Sequence, residues 1–166
     1  MYVLNYHQQI ERISRMIPLR KNEETFEVYY HDPQTGELWK SFFPHKEHLG
    51  KGPKILRPEP LPENIELQLE ICINSGEEED AKGLAIEYSL RPEKWEEIID
   101  TLEANFKKYM RSGFLLFIKT LGVLDPSDII DEERPTALYP SIGKDRLLKL
   151  KKRARKLRWK KFFHFS

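Results

Sequence analysis

The chain has 166 residues, of which 39% are hydrophobic, 33% charged and 11% aromatic, and its formal net charge is +1. This composition is typical of one folded domain, alone or with a small appendage, and excludes a disordered or fibrous chain. The longest apolar run, residues 113–124, is shorter than the roughly 20 residues that cross a bilayer. The first residues lack a secretory leader and the chain has one cysteine. The sequence therefore predicts a cytoplasmic location, no transmembrane segment and no disulfide.

Positive charge is concentrated towards the C-terminus. Residues 144–161 contain eleven of the 28 Lys and Arg residues but only one of the 27 acidic residues. The rest of the chain therefore holds 17 basic and 26 acidic residues, a net charge of −9. This asymmetry predicts either a charged partner or pairing between the basic segment and the acidic remainder.

The N-terminal part predicts a helix and a hairpin. Apolar residues at helical spacing predict a helix over 2–17, which ends at Pro18. Residues 25–31 alternate in polarity, as a half-buried strand does, a turn follows at 32–36, and residues 37–43 are expected to form the returning strand of a hairpin. A short strand is expected at 54–57. Three prolines within residues 58–64 then predict a stiff connector outside the sheet, because proline cannot donate to a ladder.

The remainder predicts two more strands and two long helices. Alternating aliphatic residues in 65–74 predict a half-buried strand, and an acidic loop separates it from a partner strand at 83–90. A helix begins at Pro92 and runs to 112, with Gly113 as its left-handed stop. Residues 114–124 fit either a helix or a strand, and 126–132 predict one or two helical turns. A basic amphipathic helix is expected from residue 144 to about 163.

These elements predict an α+β fold. Its antiparallel sheet is expected to combine the 25–43 hairpin with strands 65–74 and 83–90, accompanied by an N-terminal helix, a helix 92–112 packed on the sheet, and the basic C-terminal helix. The predicted organisation is 1–57, the connector 58–64, a part 65–143 packed with the first part as one domain, and the basic helix 144–166.

Motifs for catalysis or metal binding are not found. The sequence has neither a phosphate-binding glycine loop nor a serine-nucleophile elbow. His45 and His48 flank Glu47 but lie three residues apart, whereas a helical zinc motif needs four, so a polar loop is favoured. Cys72 alternates with aliphatic residues and is interpreted as structural. No catalytic residue, cofactor or metal is therefore predicted.

The basic C-terminal segment leaves three interpretations open. Cations interleaved with aromatic residues suit nucleic acid, and the candidate contacts are Lys149, Lys152, Arg153, Arg155, Lys156, Arg158 and Trp159. The same helix also suits an anionic membrane surface or a partner protein. In the third interpretation its apolar side docks on the acidic remainder, with charges balanced by residues such as Glu77, Glu78, Glu79 and Asp80.

The hairpin and the loop after it carry a spaced set of turn and aromatic residues, namely Asp32, Pro33, Gly36, Trp39, Pro44, Glu47, Gly50, Gly52 and Pro53. This set resembles the signature of a family of bacterial immunity proteins from polymorphic toxin systems. The resemblance covers about residues 29–56, and Lys40, Lys51 and Lys54 depart from it. It implies a small, cytoplasmic, non-enzymatic protein that binds and neutralises a cognate toxin.

Toxin neutralisation is therefore the leading hypothesis from the sequence. The acidic remainder suits a basic nuclease toxin, because opposite potentials accelerate encounter. The candidate contacts are Glu77, Glu78, Glu79 and Asp80. The motif glycines and prolines are expected to shape turns, and Trp39 to lie in the core. The alternative hypothesis is nucleic-acid binding through residues 144–163.

Overall fold

The computed structural model describes residues 1–45, 49–50, 52–126 and 142–163. The fold is α+β, as predicted, with a four-stranded antiparallel sheet, an N-terminal helix and further helices that include the C-terminal one. The chain divides into two units, residues 1–63 and residues 64–166.

The first unit contains one helix and the whole sheet. Helix α1 (Tyr6–Ile13) is followed by strands β1 (Ile17–Lys21), β2 (Val28–His31), β3 (Leu38–Phe42) and β4 (Ile55–Glu59). The strands lie side by side in chain order, and each neighbouring pair is antiparallel. Asn5 caps α1 because its side chain accepts hydrogen bonds from the amides of His7 and Gln8. Met16, Trp39 and Leu56 form the core of this unit.

The predicted hairpin and N-terminal helix are confirmed, but two details of this unit differ from the prediction. The helix ends at Ile13, and Ile17 begins strand β1, which was not predicted. Pro58 lies within β4 opposite Trp39, so the expectation that the proline-rich segment stays outside the sheet is wrong at its start. The sheet tolerates this proline because β4 is an edge strand, where one side of the backbone needs no ladder partner.

The second unit is helical in the part that the structure describes. Its helices are α2 (Ile65–Ile73), α3 (Glu78–Ser89), α4 (Trp95–Ala104), α5 (Arg111–Leu121) and α6 (Lys144–Phe163). Short 3-10 turns at Pro92–Lys94 and Phe106–Lys108 precede α4 and α5. The basic C-terminal helix is thus confirmed. The predicted helical turns at 126–132 lie almost entirely outside the described residues.

The predicted strands at 65–74 and 83–90 are wrong, because both segments are helical. Helix α2 buries five residues that recur with a helical period: Ile65, Gln68, Leu69, Cys72 and Ile73. Leu67 and Ile71, which the alternating pattern placed on a buried strand face, are 46% and 40% exposed. Asn64 starts this helix by accepting a hydrogen bond from the amide of Glu66.

The predicted helix 92–112 is also corrected, since it is interrupted at Asn105. Helix α4 ends there, and a separate helix, α5, begins at Arg111. The side chain of Asn74, at the end of α2, holds the connection between them: it accepts from the amide of Met110 at 2.7 Å and donates to the carbonyl of Lys108 at 3.1 Å. Of the undecided segment 114–124, residues 114–121 are helical, as part of α5.

Gly113 has a different role from the predicted helix stop. It lies inside α5, where an added Cβ would be 2.1 Å from the carbonyl oxygen of Ile73. The left-handed stop of α5 is instead Gly122, with φ of +85°. Glycine at 113 therefore allows the backbones of α2 and α5 to touch.

Candidate functional site

Helix α6 is docked on its own unit by one apolar stripe. Leu147, Leu150, Ala154, Leu157 and Lys161 are buried, and they recur at the three- and four-residue spacing of one helix face. The stripe packs against α4 and α5. The docked interpretation of the basic segment therefore describes how this helix is held.

Ion pairs with α4 complete the docking. Arg153 donates to Asp100 at 2.6 Å and to Glu103 at 2.7 Å, and Arg146 pairs with Glu96. The hydrogen bond to Glu103 is the main reason that the pKa of Arg153 is raised. The acidic partners of the helix thus include residues of α4, and Arg153 of the predicted nucleic-acid contacts is engaged in docking.

The opposite side of α6 is exposed and mixes cations with aromatic rings. Its residues, which we call the outer face, are Leu148, Lys152, Arg155, Lys156, Trp159, Phe162 and Phe163. The side chains of Trp159, Phe162 and Phe163 are 67%, 53% and 56% exposed. The rings of Trp159 and Phe163 stack with centroids 4.8 Å apart, and Phe162 meets Phe163 edge-on at 5.2 Å.

The predicted cations beside these rings have no acidic partner in the described part of the chain. Lys149 and Arg158 are exposed next to the outer face. In the part of the chain that the structure describes, neither of them forms an ion pair, and neither do Lys152, Arg155 and Lys156. The structure thus brings six of the seven predicted nucleic-acid contacts, all except Arg153, to the exposed part of one helix.

The acidic quartet is arranged differently from the prediction. The expected loop is the start of α3: Glu77 is its N-cap residue, and Glu78, Glu79 and Asp80 form the first turn. Negative charge is favourable at a helix N-terminus, so these residues have a structural role there. Asp80 is 2% exposed, and Glu78 pairs with Lys82 at 3.1 Å. The quartet therefore does not form one exposed acidic surface.

The residues of the hairpin signature shape the chain of the first unit. The carboxylate of Asp32 accepts from the amide of Gln34 at 2.9 Å, which lowers the pKa of Asp32. Gly36 has φ of +76°, as the turn requires. Trp39 is 3% exposed, and the guanidinium carbon of Arg12 lies 4.1 Å from its ring centroid.

The loop between β3 and β4 holds the rest of the signature. Pro44, Gly50, Gly52 and Pro53 lie in it, and Gly50 has φ of +79°. Glu47 and His48 fall outside the described residues.

A groove of about 1180 Å³ lies beside the C-terminal end of α6. It is lined by residues 103–112 together with Leu115, Lys160 and Lys161. The cations of this lining were not predicted as site residues. Their only signal in the sequence is two short basic clusters, 107–111 and 160–161, which lie about fifty residues apart and meet through the docking of α6.

Two other features, a cluster of metal-binding side chains and a membrane-spanning helix, are absent from the described residues. No group of three or more His, Cys, Asp or Glu side chains in them is arranged to hold a metal ion. None of the helices within the described ranges has the length and hydropathy of a membrane span. No protein-family model, curated protein or solved structure matches the chain.

Proposed function

We propose that the protein binds single-stranded nucleic acid through the outer face of α6. The observation that carries this proposal is that one exposed helix face holds three exposed aromatic rings together with cations that form no ion pair among the described residues. Cations neutralise phosphates, and aromatic rings stack on bases. A single strand is favoured over a duplex because only unpaired, splayed bases offer their faces to such rings.

The docked side of α6 favours a polymer over a membrane surface. An interfacial helix inserts its apolar stripe into the lipid headgroup region. In this protein Leu147, Leu150, Ala154 and Leu157 already pack within the second unit. The residues left outside are mainly charged or aromatic.

The experiment measures the affinity of a labelled oligothymidylate for the full chain by fluorescence anisotropy over a range of salt concentrations. Each cation that neutralises a phosphate of a single strand contributes about −0.7 to the slope of log K against log salt. The double variant K152A/K156A should therefore flatten the slope by about 1.4. K82A/K94A, which removes the same charge from α3 and from the 3-10 turn before α4, is the matched control and should leave it unchanged.

Trp159→Ala separates stacking from charge. Loss of one stacked base contact should weaken binding about 5- to 150-fold, with the salt slope unchanged. The proposal would be contradicted if the salt slope flattened equally in K152A/K156A and in the control K82A/K94A, or if the wild-type protein did not bind. Binding to anionic vesicles but not to oligothymidylate would support the membrane interpretation instead. Point variants are preferred to deletion of α6, because deletion would expose the apolar surface of α4 and α5.

Toxin neutralisation is the second candidate function. It is supported by the hairpin signature, whose Asp32, Gly36 and Trp39 adopt the turn and core positions that such a motif needs. The partner would be a cognate toxin domain, and the protein would act as a bacterial immunity protein without catalysis. For either function, we propose that the protein acts in the cytoplasm.

Co-expression tests this second function. Cells that produce a toxin domain encoded next to this protein should grow only when the protein is present, and K152A/K156A should still protect them. Growth arrest despite abundant folded protein would count against neutralisation of that toxin.

A further inference from the structure

We propose that the groove beside the C-terminal end of α6 binds a phosphate group, together with the nucleoside attached to it. The inference rests on the proposed function, because the phosphate is taken to belong to the strand that contacts the outer face. Lys160, which lines the groove, is adjacent in sequence to Trp159 of the outer face. The two surfaces would thus form one continuous path for the ligand.

The charge of the groove matches an anion. Five cations line it: Lys107, Lys108, Arg111, Lys160 and Lys161. One carboxylate, Glu103, also lines it and is already held by Arg153 at 2.7 Å. Lys108 forms an ion pair with Glu66 at 3.5 Å. Both side chains are exposed, so solvent screening makes this ion pair weak. In the described part of the chain, Lys107, Lys160 and Lys161 form no ion pair, so no carboxylate there balances their positive charges.

Lys161 is the most unusual of these cations. Its residue is 8% exposed, and its ammonium donates to the carbonyl of Phe106 at 2.8 Å. The same nitrogen lies 4.6 Å and 5.2 Å from the ring centroids of Phe106 and Phe114. No carboxylate pairs with it in the described ranges. Burial lowers the pKa of Lys161, and an anion in the groove would favour its charged form again.

Donors other than cations also line the groove. Met110 and Ser112 belong to the start of α5, which has no side-chain cap, so the positive end of the helix dipole faces this region. Tyr109 is 4% exposed, and its hydroxyl has no hydrogen-bond partner among the residues that the structure describes. Uncapped helix N-termini commonly bind phosphate. In this groove, cations line the same space as the N-terminus of α5.

Apolar side chains make the groove suitable for a nucleoside rather than for free phosphate alone. Phe106, Met110 and Leu115 line it, and Met110 is 47% exposed. An aromatic ring and a polarizable thioether both pack well on a base. The volume of about 1180 Å³ exceeds what a single phosphate needs.

The experiment has two arms that separate this inference from the proposed function. In the first arm, K107A/K160A should flatten the salt slope for oligothymidylate by about 1.4, whereas K82A/K94A should not. Binding by the wild-type protein with the same slope in both variants would overturn the groove proposal and leave the outer-face proposal standing.

The second arm uses thymidine monophosphate as a small probe and records backbone amide shifts by NMR. We expect shifts at Ser112 and Gly113 in the wild-type chain and in Trp159→Ala, and their loss in K107A/K160A. Shifts absent from the start of α5 would overturn the groove proposal, even if the oligonucleotide binds. Shifts present there without oligonucleotide binding would support the groove and contradict the outer-face function.

Discussion

Replacement of Gly113 by alanine tests the packing that positions the groove. The new Cβ would lie 2.1 Å from the carbonyl oxygen of Ile73 and 3.0 Å from its carbon, whereas ordinary contact begins near 3.4 Å. Both atoms of the clash are fixed to backbone, so no rotamer change relieves it. Helices α2 and α5 would have to separate by about 1 Å. Overpacking of this kind lowers the free energy of unfolding by about 3 kcal/mol.

The intrinsic preference of a helix for alanine offsets about 1 kcal/mol of this cost. The net loss in free energy of unfolding is therefore about 2 kcal/mol, or roughly 6 °C in Tm for a chain of this length. Thermal and urea denaturation followed by circular dichroism measure it. Lys119→Ala, an exposed change in the same helix, is the control and should stay within about 0.5 kcal/mol of the wild type. A Gly113→Ala variant as stable as this control would refute the close approach of the two backbones.

Two further predictions concern the connection between α4 and α5. Asn74→Ala removes the acceptor for the Met110 amide and the donor to the Lys108 carbonyl, so urea denaturation should show a loss of about 1–2 kcal/mol; Asn74→Asp keeps the acceptor and should lose less. Burial raises the pKa of Tyr109 from 10.0 to about 12, so its protonated form is favoured in the folded state and stability should fall as the pH rises from about 10 to 12. In Tyr109→Phe this contribution should disappear, and an equally steep fall in that variant would contradict it.

The sequence pattern predicted α6 well and α2 poorly, for a physical reason. Helix α6 keeps one apolar stripe at helical spacing over twenty residues. A strand is much shorter than this, so the pattern indicates only a helix. In residues 65–74 a strand period and a helical period coincide, because Ile65, Leu69 and Ile73 belong to both. The two periods differ at Gln68, which is buried on the helix. Its side-chain oxygen accepts a hydrogen bond from the buried hydroxyl of Tyr88 at 2.7 Å. That pairing depends on a tertiary contact, which one sequence does not reveal.

The sequence predicts only the part of the candidate site that lies on a single helix. Six of the seven predicted cationic and aromatic contacts lie on the exposed part of α6, because helical spacing fixes which residues share a face. The groove depends on Lys160 and Lys161 meeting Phe106, over fifty residues earlier in the chain. The sequence pattern predicts a loop at the acidic quartet, because the favourable interaction of these residues with a helix N-terminus is apparent only when α3 is known.

The indole N–H signals of the three tryptophans offer the most direct measurement of where a single strand binds. Trp39 and Trp95 are 3% and 0% exposed, whereas Trp159 is 67% exposed on the outer face. In a two-dimensional NMR titration of the full chain with oligothymidylate, the indole signal of Trp159 should shift and those of Trp39 and Trp95 should stay in place. A saturating titration that leaves Trp159 unmoved would contradict binding through α6.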